Sequence, residues 1–256
     1  MKVDLHVHTQ FSHDATIPIN NYLVRILNRR GIQGIAITDH NTFRGSIKAK
    51  RILEKHEILA IPGEEVKTEY GELLCLFITD EIRPPGLKRY RYLEVIDQIK
   101  EQDGLVGLSH PFDFSRSNWI RKIQIDWIKE HIDVLEVYNA RCNLNSMNMK
   151  AYDFCKYYNL PIIAGSDAHF LMEIGRGCLL LEYADTVEDI RNQIMSNKAS
   201  VMRVDHFLPF INLPSFFFHA FTGLSRFFWP IRQNFQTKDV PHSFRRFSVP
   251  NRRISK

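Results

Sequence analysis

A chain of 256 residues that is 44% hydrophobic can bury one substantial core, enough for a single α/β domain with or without an appendage. A formal charge of +5 favours an anionic partner such as a phosphate ester, a nucleic acid or a lipid headgroup. The cysteines Cys75, Cys142, Cys155 and Cys178 lack C-x-x-C spacing, which argues against a thiolate zinc site and a disulfide framework, and a start on Lys2-Val3-Asp4-Leu5 leaves no room for a secretory signal, so a cytoplasmic location is expected.

From residue 2 to about residue 200, short apolar runs alternate with stretches of helical period, the pattern of β/α units around a parallel sheet. The predicted strands are 2–7, 34–38, 57–61, 73–78, 104–109, 133–138, 161–165 and 178–182, rich in Val, Ile and Leu as strands buried on both faces should be. Asn20 to Arg30 reads as a helix with Leu23, Ile26 and Leu27 on one face and Gly31 as its stop. A second helix runs from Leu87 to Gln102, carrying Leu93, Ile96 and Ile99, and ends before Gly104. A third spans Thr186 to Asn197, with Thr186 as N-cap and Glu188 and Asp189 in the first turn.

The strand ends carry the chemistry. In Asp4-Leu5-His6-Val7-His8 the two histidines point to the same face of a strand and can reach one metal ion. Alone, that pair reads more readily as two half-buried histidines satisfied by hydrogen bonds. Gly34 to His40 is an apolar strand ending in Asp39-His40, and Ile61-Pro62-Gly63-Glu64-Glu65 offers adjacent carboxylates, one to bridge ions and one facing away, unless this is a solvated acidic turn. Leu105 to Pro111 runs into His110, and Ile162 to His169 runs into Asp167 and His169. Five strands that end in His or carboxylate make coincidence a poor account. In β/α barrels, functional side chains project from these C-terminal ends, and the donor set suits zinc, manganese or iron. Several ions are implied, and such clusters suit phosphoryl transfer. Arg116, Arg141 and Arg176 each follow a strand end and could fork onto phosphate oxygens, with Arg141 and Arg176 the preferred pair. No Ser/His/Asp or Cys/His nucleophile arrangement and no Gly-rich phosphate loop competes.

DLHVHT, GIAITDHN, PGEEV, LSHPF and GSDAH, in this order, resemble the PHP (polymerase and histidinol phosphatase) family over residues 2 to about 182. The resemblance implies a distorted (β/α)7 barrel, of α/β class, with a trinuclear centre. It would place His6, His8, Glu65 and Asp167 on one ion, Glu65 with His110 on a second, and His40 with His169 on a third. The remaining ligand comes from Ser12-His13-Asp14, where either His13 or Asp14 fits and Asp14 is narrowly preferred. Many members have a histidine before the fourth apolar run, where this chain reads Gly71-Glu72-Leu73-Leu74. Either Glu72 replaces that ligand, or the second ion is weakly held and the centre works with two metals.

After Asp205 the composition changes to Phe, Pro, Arg and Ser, so the expected organisation is a catalytic barrel over 1–205 and an extension over 206–256. The extension carries a net +7, leaving about −2 for the rest. Its prolines and arginines interrupt every apolar run, so it is not expected to span a bilayer. It is read as a packing layer, a protein-docking segment or a membrane-surface segment. The expected activity is hydrolysis of a phosphate ester on a small metabolite, nucleotide or short oligonucleotide, with His6, His8, Asp14, His40 and His169 nearest the chemistry and a metal-bound hydroxide attacking phosphorus. No stable binding of duplex nucleic acid is expected. The rival is a non-catalytic metal-binding barrel that acts through its extension.

Overall fold

A computed structural model of the chain describes residues 1–84, 90–114, 127 and 130–203; the 206–256 extension, the expected boundary near residue 205 and Arg116 lie outside them. The strands are β1 (Lys2–Val7), β2 (Ile32–Ile37), β3 (Leu59–Thr68), β4 (Gly71–Leu76), β5 (Leu105–Leu108), β6 (Val134–Asn139), β7 (Ile162–Gly165), β8 (Gly177–Leu180) and β9 (Ser200–Arg203). Among the described residues the helices of at least two turns are α1 (Asn21–Arg30), α2 (Arg44–Leu53), α3 (Tyr92–Glu101), α4 (Asn145–Tyr158) and α5 (Val187–Met195). Helix α1 begins where the Asn20 side chain accepts from Tyr22 N at 2.8 Å and stops at Gly31, whose φ of 64° suits glycine. Helix α5 opens with a reciprocal cap between Thr186 and Asp189. Residues 85–89 of the expected second helix lie outside the described set, and α3 starts at Tyr92.

The sheet has the order β7-β6-β5-β4-β3-β2-β1-β8-β9. Pairing is parallel for β1 with β2, β2 with β3, β5 with β6 and β6 with β7. The expectation of a wholly parallel sheet is corrected at β4 and β8, which run against their neighbours. Only Glu69 and Tyr70 join β3 to β4, and no helix lies between β7 and β8. Neither connection is long enough for the crossover that a parallel pair needs. Strand β9, absent from the sequence reading, adds to β8 as a short antiparallel edge. The barrel-like ring is closed by the ends of β1 and β7: Val7 bridges Ala168 in parallel, His8 N donates to Ala168 O at 2.9 Å, and Asp167 N donates to His6 O at 2.7 Å.

Along β1, Val3, Leu5 and Val7 join apolar clusters with α1, β2 and β8, while Asp4, His6 and His8 share the opposite face and are equally buried. Strand β3 runs further than expected. It pairs with β2 as far as Pro62 and carries β4 from Gly63 to Thr68, so Glu64 and Glu65 lie inside a strand and point to opposite faces rather than forming a solvated turn.

Gly165 marks the close approach at the closure. A Cβ there would overlap the His6 Cβ and come within 2.8 Å of the His6 backbone nitrogen. Gly165→Ala is expected to cost about 1–3 kcal/mol through overpacking and to lower metal content by displacing His6. Gly31→Ala, at a left-handed position with nothing within 4 Å of the added Cβ, should cost about 1 kcal/mol and leave metal content unchanged. Urea unfolding midpoints and elemental analysis of both variants check this pair.

Candidate metal centre

The functional side chains collect at one rim because the strands that carry them point there. His6 comes from β1 and His8 directly follows it, His40 follows β2, Glu65 lies in β3, His110 follows β5, Arg141 follows β6, and Asp167 and His169 follow β7. Glu72 reaches the same rim from the beginning of β4, since that strand runs the opposite way. His110 and Asp167 adopt positive φ, 28° and 52°, a backbone form that His and Asp tolerate better than most side chains.

Glu65 sits at the centre, fully buried. Its carboxylate oxygens lie 3.5 Å from His6 Nε2, 3.5 Å from His8 Nε2, 3.1 Å from His40 Nδ1 and 3.3 Å from His110 Nε2. Asp167 Oδ1 lies 3.6 Å from His6 Nε2 and 3.3 Å from His8 Nε2. Asp14 Oδ2 lies 3.5 Å from His40 Nε2 and 3.2 Å from His169 Nε2. Glu72 Oε2 lies 3.4 Å from His110 Nε2. Within 4.8 Å of one another are ligand atoms of His8, His40 and His169, of His6, His8 and Asp167, and of His40, Glu65 and Glu72.

This arrangement fits divalent cations. Both oxygens of Glu65, Asp14 Oδ1 and His110 Nε2 are buried without a hydrogen-bond partner, although buried polar atoms are nearly always paired. His6 Nε2 and His8 Nε2 face each other at 3.0 Å, a contact in which at most one nitrogen can donate if both rings are neutral. Nitrogen and carboxylate donors with no thiolate suit zinc, manganese or iron. The protons respond to the same crowding. Burial opposes charge on His6, yet Asp167, Glu136 and Glu65 hold its pKa well above the ordinary value. Burial likewise opposes charge on His40, but Asp14 and Glu65 raise it to about 10. His8 is pushed well below its ordinary value by burial and by the neighbouring His40 and His169. Burial would raise Glu65 and Asp14, and the surrounding imidazoles outweigh it and keep both carboxylates ionised.

A second layer orients the first, and the sequence reading gave it no role. Glu136, buried in β6, takes His6 Nδ1 at 2.9 Å on one oxygen; its other oxygen accepts from His110 N at 2.7 Å and Asn139 Nδ2 at 3.0 Å. Asn139 Nδ2 also donates to Asp167 Oδ2 at 3.1 Å. Ser12 Oγ lies 3.2 Å from His8 Nδ1, accepts from His40 N at 2.9 Å and donates to Asp39, which also accepts from Thr9 N and Thr9 Oγ1. The available signal was a charged or polar residue inside an otherwise apolar strand, Glu136 in Val134-Leu135-Glu136-Val137-Tyr138.

Of the expected residues, Asp14 faces the His40 and His169 pair, whereas His13 is exposed with its ring centroid 5.6 Å from that of His40. Arg141 reaches the cluster, with Nη1 against His169 Nδ1 and 3.9 Å from Asp167 Oδ1. Arg176 is placed beside Glu173 and Arg30, with its backbone N donating to Glu173 O at 3.2 Å.

Metal-free, His6 and His40 are protonated at pH 7.5 because their pKa values are raised, and ligation requires neutral imidazole. Adding Mn²⁺ at pH 7.5 to stripped protein should therefore release protons, followed with a pH indicator in weak buffer; pH-neutral uptake would contradict the assignment. In Glu136→Gln an amide NH₂ must face one of the donors that the carboxylate now accepts from. Metal affinity should fall about 10- to 100-fold, the usual effect of losing an outer-shell partner, with the circular dichroism spectrum retained. Equilibrium dialysis reads this out.

The family model of the PHP domain matches residues 4–143, and that of the PHP-associated segment matches residues 145–199. The chain is 37% identical over 179 residues to the uncharacterised protein MJ0417 of Methanocaldococcus jannaschii, covering 68% of each. It is similar in structure to a two-domain protein of Bacteroides vulgatus described as containing a predicted PHP-like metal-dependent phosphoesterase, with a TM-score of 0.65 at 21% identity over 79% of this chain and 64% of that one. A Bifidobacterium adolescentis protein described as a candidate metal-dependent phosphoesterase gives a TM-score of 0.55 at 18% identity, over 79% and 96%. At such identities the solved structures establish the shared barrel-like fold. Because the PHP domain model spans more than half of its length and the ligand-bearing strand ends fall in order along the matched segments, this chain belongs to the PHP family.

Proposed function

We propose that this chain is a metal-dependent phosphoesterase, hydrolysing a phosphate ester of a small metabolite, a nucleotide or a short oligonucleotide at a centre of two or three divalent cations. The observation that carries the reading is Glu65: a buried carboxylate with no hydrogen-bond partner, surrounded by imidazole nitrogens at 3.1–3.5 Å. His6, His8, Glu65 and Asp167 would hold one cation, Glu65, Glu72 and His110 another, and His40, His169 and Asp14 a third. When bound, such cations lower the pKa of water and neutralise charge on the phosphoryl oxygens.

The chain's own residues supply the rest. Arg141 stands over His169 and Asp167, where its guanidinium can fork onto two phosphate oxygens. His40 and Asp14, each about one-eighth exposed, lie at the open side of the cluster. Water and the leaving oxygen would therefore approach the cluster from the side of His40 and Asp14. Glu136, Asn139 and Ser12 lock the rings beneath them, so little reorganisation is required as the ester reacts. Among the described residues no helix is long and apolar enough to cross a membrane.

Incubated with Mn²⁺, the full chain should release phosphate or a phosphomonoester product from a panel of aryl phosphates, phosphorylated metabolites, nucleotides and oligonucleotides. His8→Ala should reduce that rate by more than about 100-fold, beyond the loss of an outer-shell partner, and lower metal content while the fold is retained. Tight metal binding with no turnover on any of these substrates would instead support the non-catalytic barrel.

A further inference from the structure

The three candidate cation positions are chemically unlike. His6, His8, Glu65 and Asp167 present two imidazoles and two carboxylates. His40, His169 and Asp14 present two imidazoles and one carboxylate. The position between Glu65, Glu72 and His110 has two carboxylates and the His110 imidazole at 3.3–3.4 Å, with His40 nearby but facing the other oxygen of Glu65. His110 Nε2 and Glu65 Oε1 point into it, both buried and both without a hydrogen-bond partner. A cation already stands beside this third position. In the β3–β4 hairpin Lys67 pairs directly opposite Glu72, and the two-residue repeat of β3 puts Lys67 on the same face as Glu65. Its Nζ lies 3.7 Å from Glu72 Oε1, while Glu72 Oε2 faces His110. The Lys67 side chain is 66% exposed and its Glu72 partner only 9%, so the ammonium approaches from solvent and leaves the buried oxygen directed inward.

We propose that the Glu65–Glu72–His110 position is a weak, exchangeable site for a hard cation of the Mn²⁺ or Mg²⁺ class, and that Lys67 competes with the incoming ion for Glu72. Oxygen-rich sites favour these ions, whereas imidazole-rich positions hold zinc or iron more tightly. Lys67 acts as a positioning and competing charge, not as a ligand. It faces Glu72 when the position is vacated, and it lowers the affinity for the returning ion. The inference rests on the reading of this cluster as a cation centre, but its test does not depend on turnover.

Full-length protein stripped of metal is examined by equilibrium dialysis against Mn²⁺ and, separately, Zn²⁺, with bound metal measured by elemental analysis. Wild-type protein should bind Mn²⁺ in a tight and a weak class, and the weak class should be the one that Zn²⁺ fills least well. Lys67→Gln should tighten the weak Mn²⁺ class about two- to fivefold, the scale of one exposed ion pair, and leave the tight class where it was. Glu72→Gln should abolish the weak class and spare the tight one. Lys67→Gln isotherms that superpose on wild type, that shift both classes together, or that leave binding unchanged while raising KM for a phosphate substrate would overturn the proposal. The last result would make Lys67 a substrate contact. Biphasic binding with the expected Lys67 response but no hydrolysis would leave this inference standing and remove the phosphoesterase reading instead.

Discussion

The constraint on which the rest depends is the charge of one buried residue. Glu65 is sealed from solvent and neither of its oxygens is hydrogen-bonded, yet four imidazoles from three separate segments crowd around it. An isolated carboxylate in such surroundings would neutralise itself by taking up a proton. Here the opposite holds, because the rings around it outweigh burial. In the absence of a cation His6 and His40, whose pKa values are raised, supply the compensating positive charge, and a cation that takes their place supplies it with fixed ligand directions. The cluster is thus held together by positive charge whose source, proton or metal, can be exchanged.

Holding several rings around one carboxylate requires that they cannot turn away. That is the work of the buried acids outside the cluster. Glu136 spans from His6 Nδ1 to the backbone of His110, and Asn139 ties Glu136 to Asp167. On the other side Asp39 gathers Thr9 and Ser12, and Ser12 in turn contacts His8 and the backbone of His40. Asp4, two residues before His6 on the same face, accepts from Ser166 N at 2.9 Å and Gly175 N at 2.8 Å, fixing the loop that carries Asp167 and His169. The side chains of His6, His8 and Asp167 and the backbones of His40 and His110 are therefore held by polar partners, as preorganised sites require.

Much of this was legible in the sequence because apolar strands that end in His or carboxylate have few other uses, and their period of two says which residue faces the centre. Glu64 and Glu65 illustrate the rule: adjacent in sequence, one accepts from Ile82 N on the far side and the other enters the cluster. The reading failed where direction mattered more than position. Strands β4 and β8 look like their parallel neighbours in composition, and only the shortness of their connections shows that they reverse. Arg176 follows a ligand-bearing strand closely, as Arg141 does, but the chain there is already returning into β8, which leaves it beside Glu173 and Arg30. Glu136 was visible as a charge in an apolar strand, but its partners, His6 and the His110 backbone, are remote in sequence and no local pattern names them.

The centre also lies on the seam of the barrel. Strand β1 pairs with β8 at its start, through Lys2 and Val3, and reaches β7 only at its end. The contact there consists of the Val7–Ala168 bridge and two hydrogen bonds, His8 N to Ala168 O and Asp167 N to His6 O. These hydrogen bonds are made by the backbones of ligand residues, and Gly165 allows the approach by leaving room for His6. His6 and His8 stand on one side of the seam, Asp167 and His169 on the other. A cation shared by His6, His8 and Asp167 would join the two sides where the regular ladder is shortest. Ion binding and barrel closure are then linked: any opening of the β1–β7 contact must separate the ligands, and free cation stabilises the closed form by mass action. The β1–β7 seam thus joins ligands brought from its two sides with those that the parallel run of β2 and β3 supplies, His40 and Glu65.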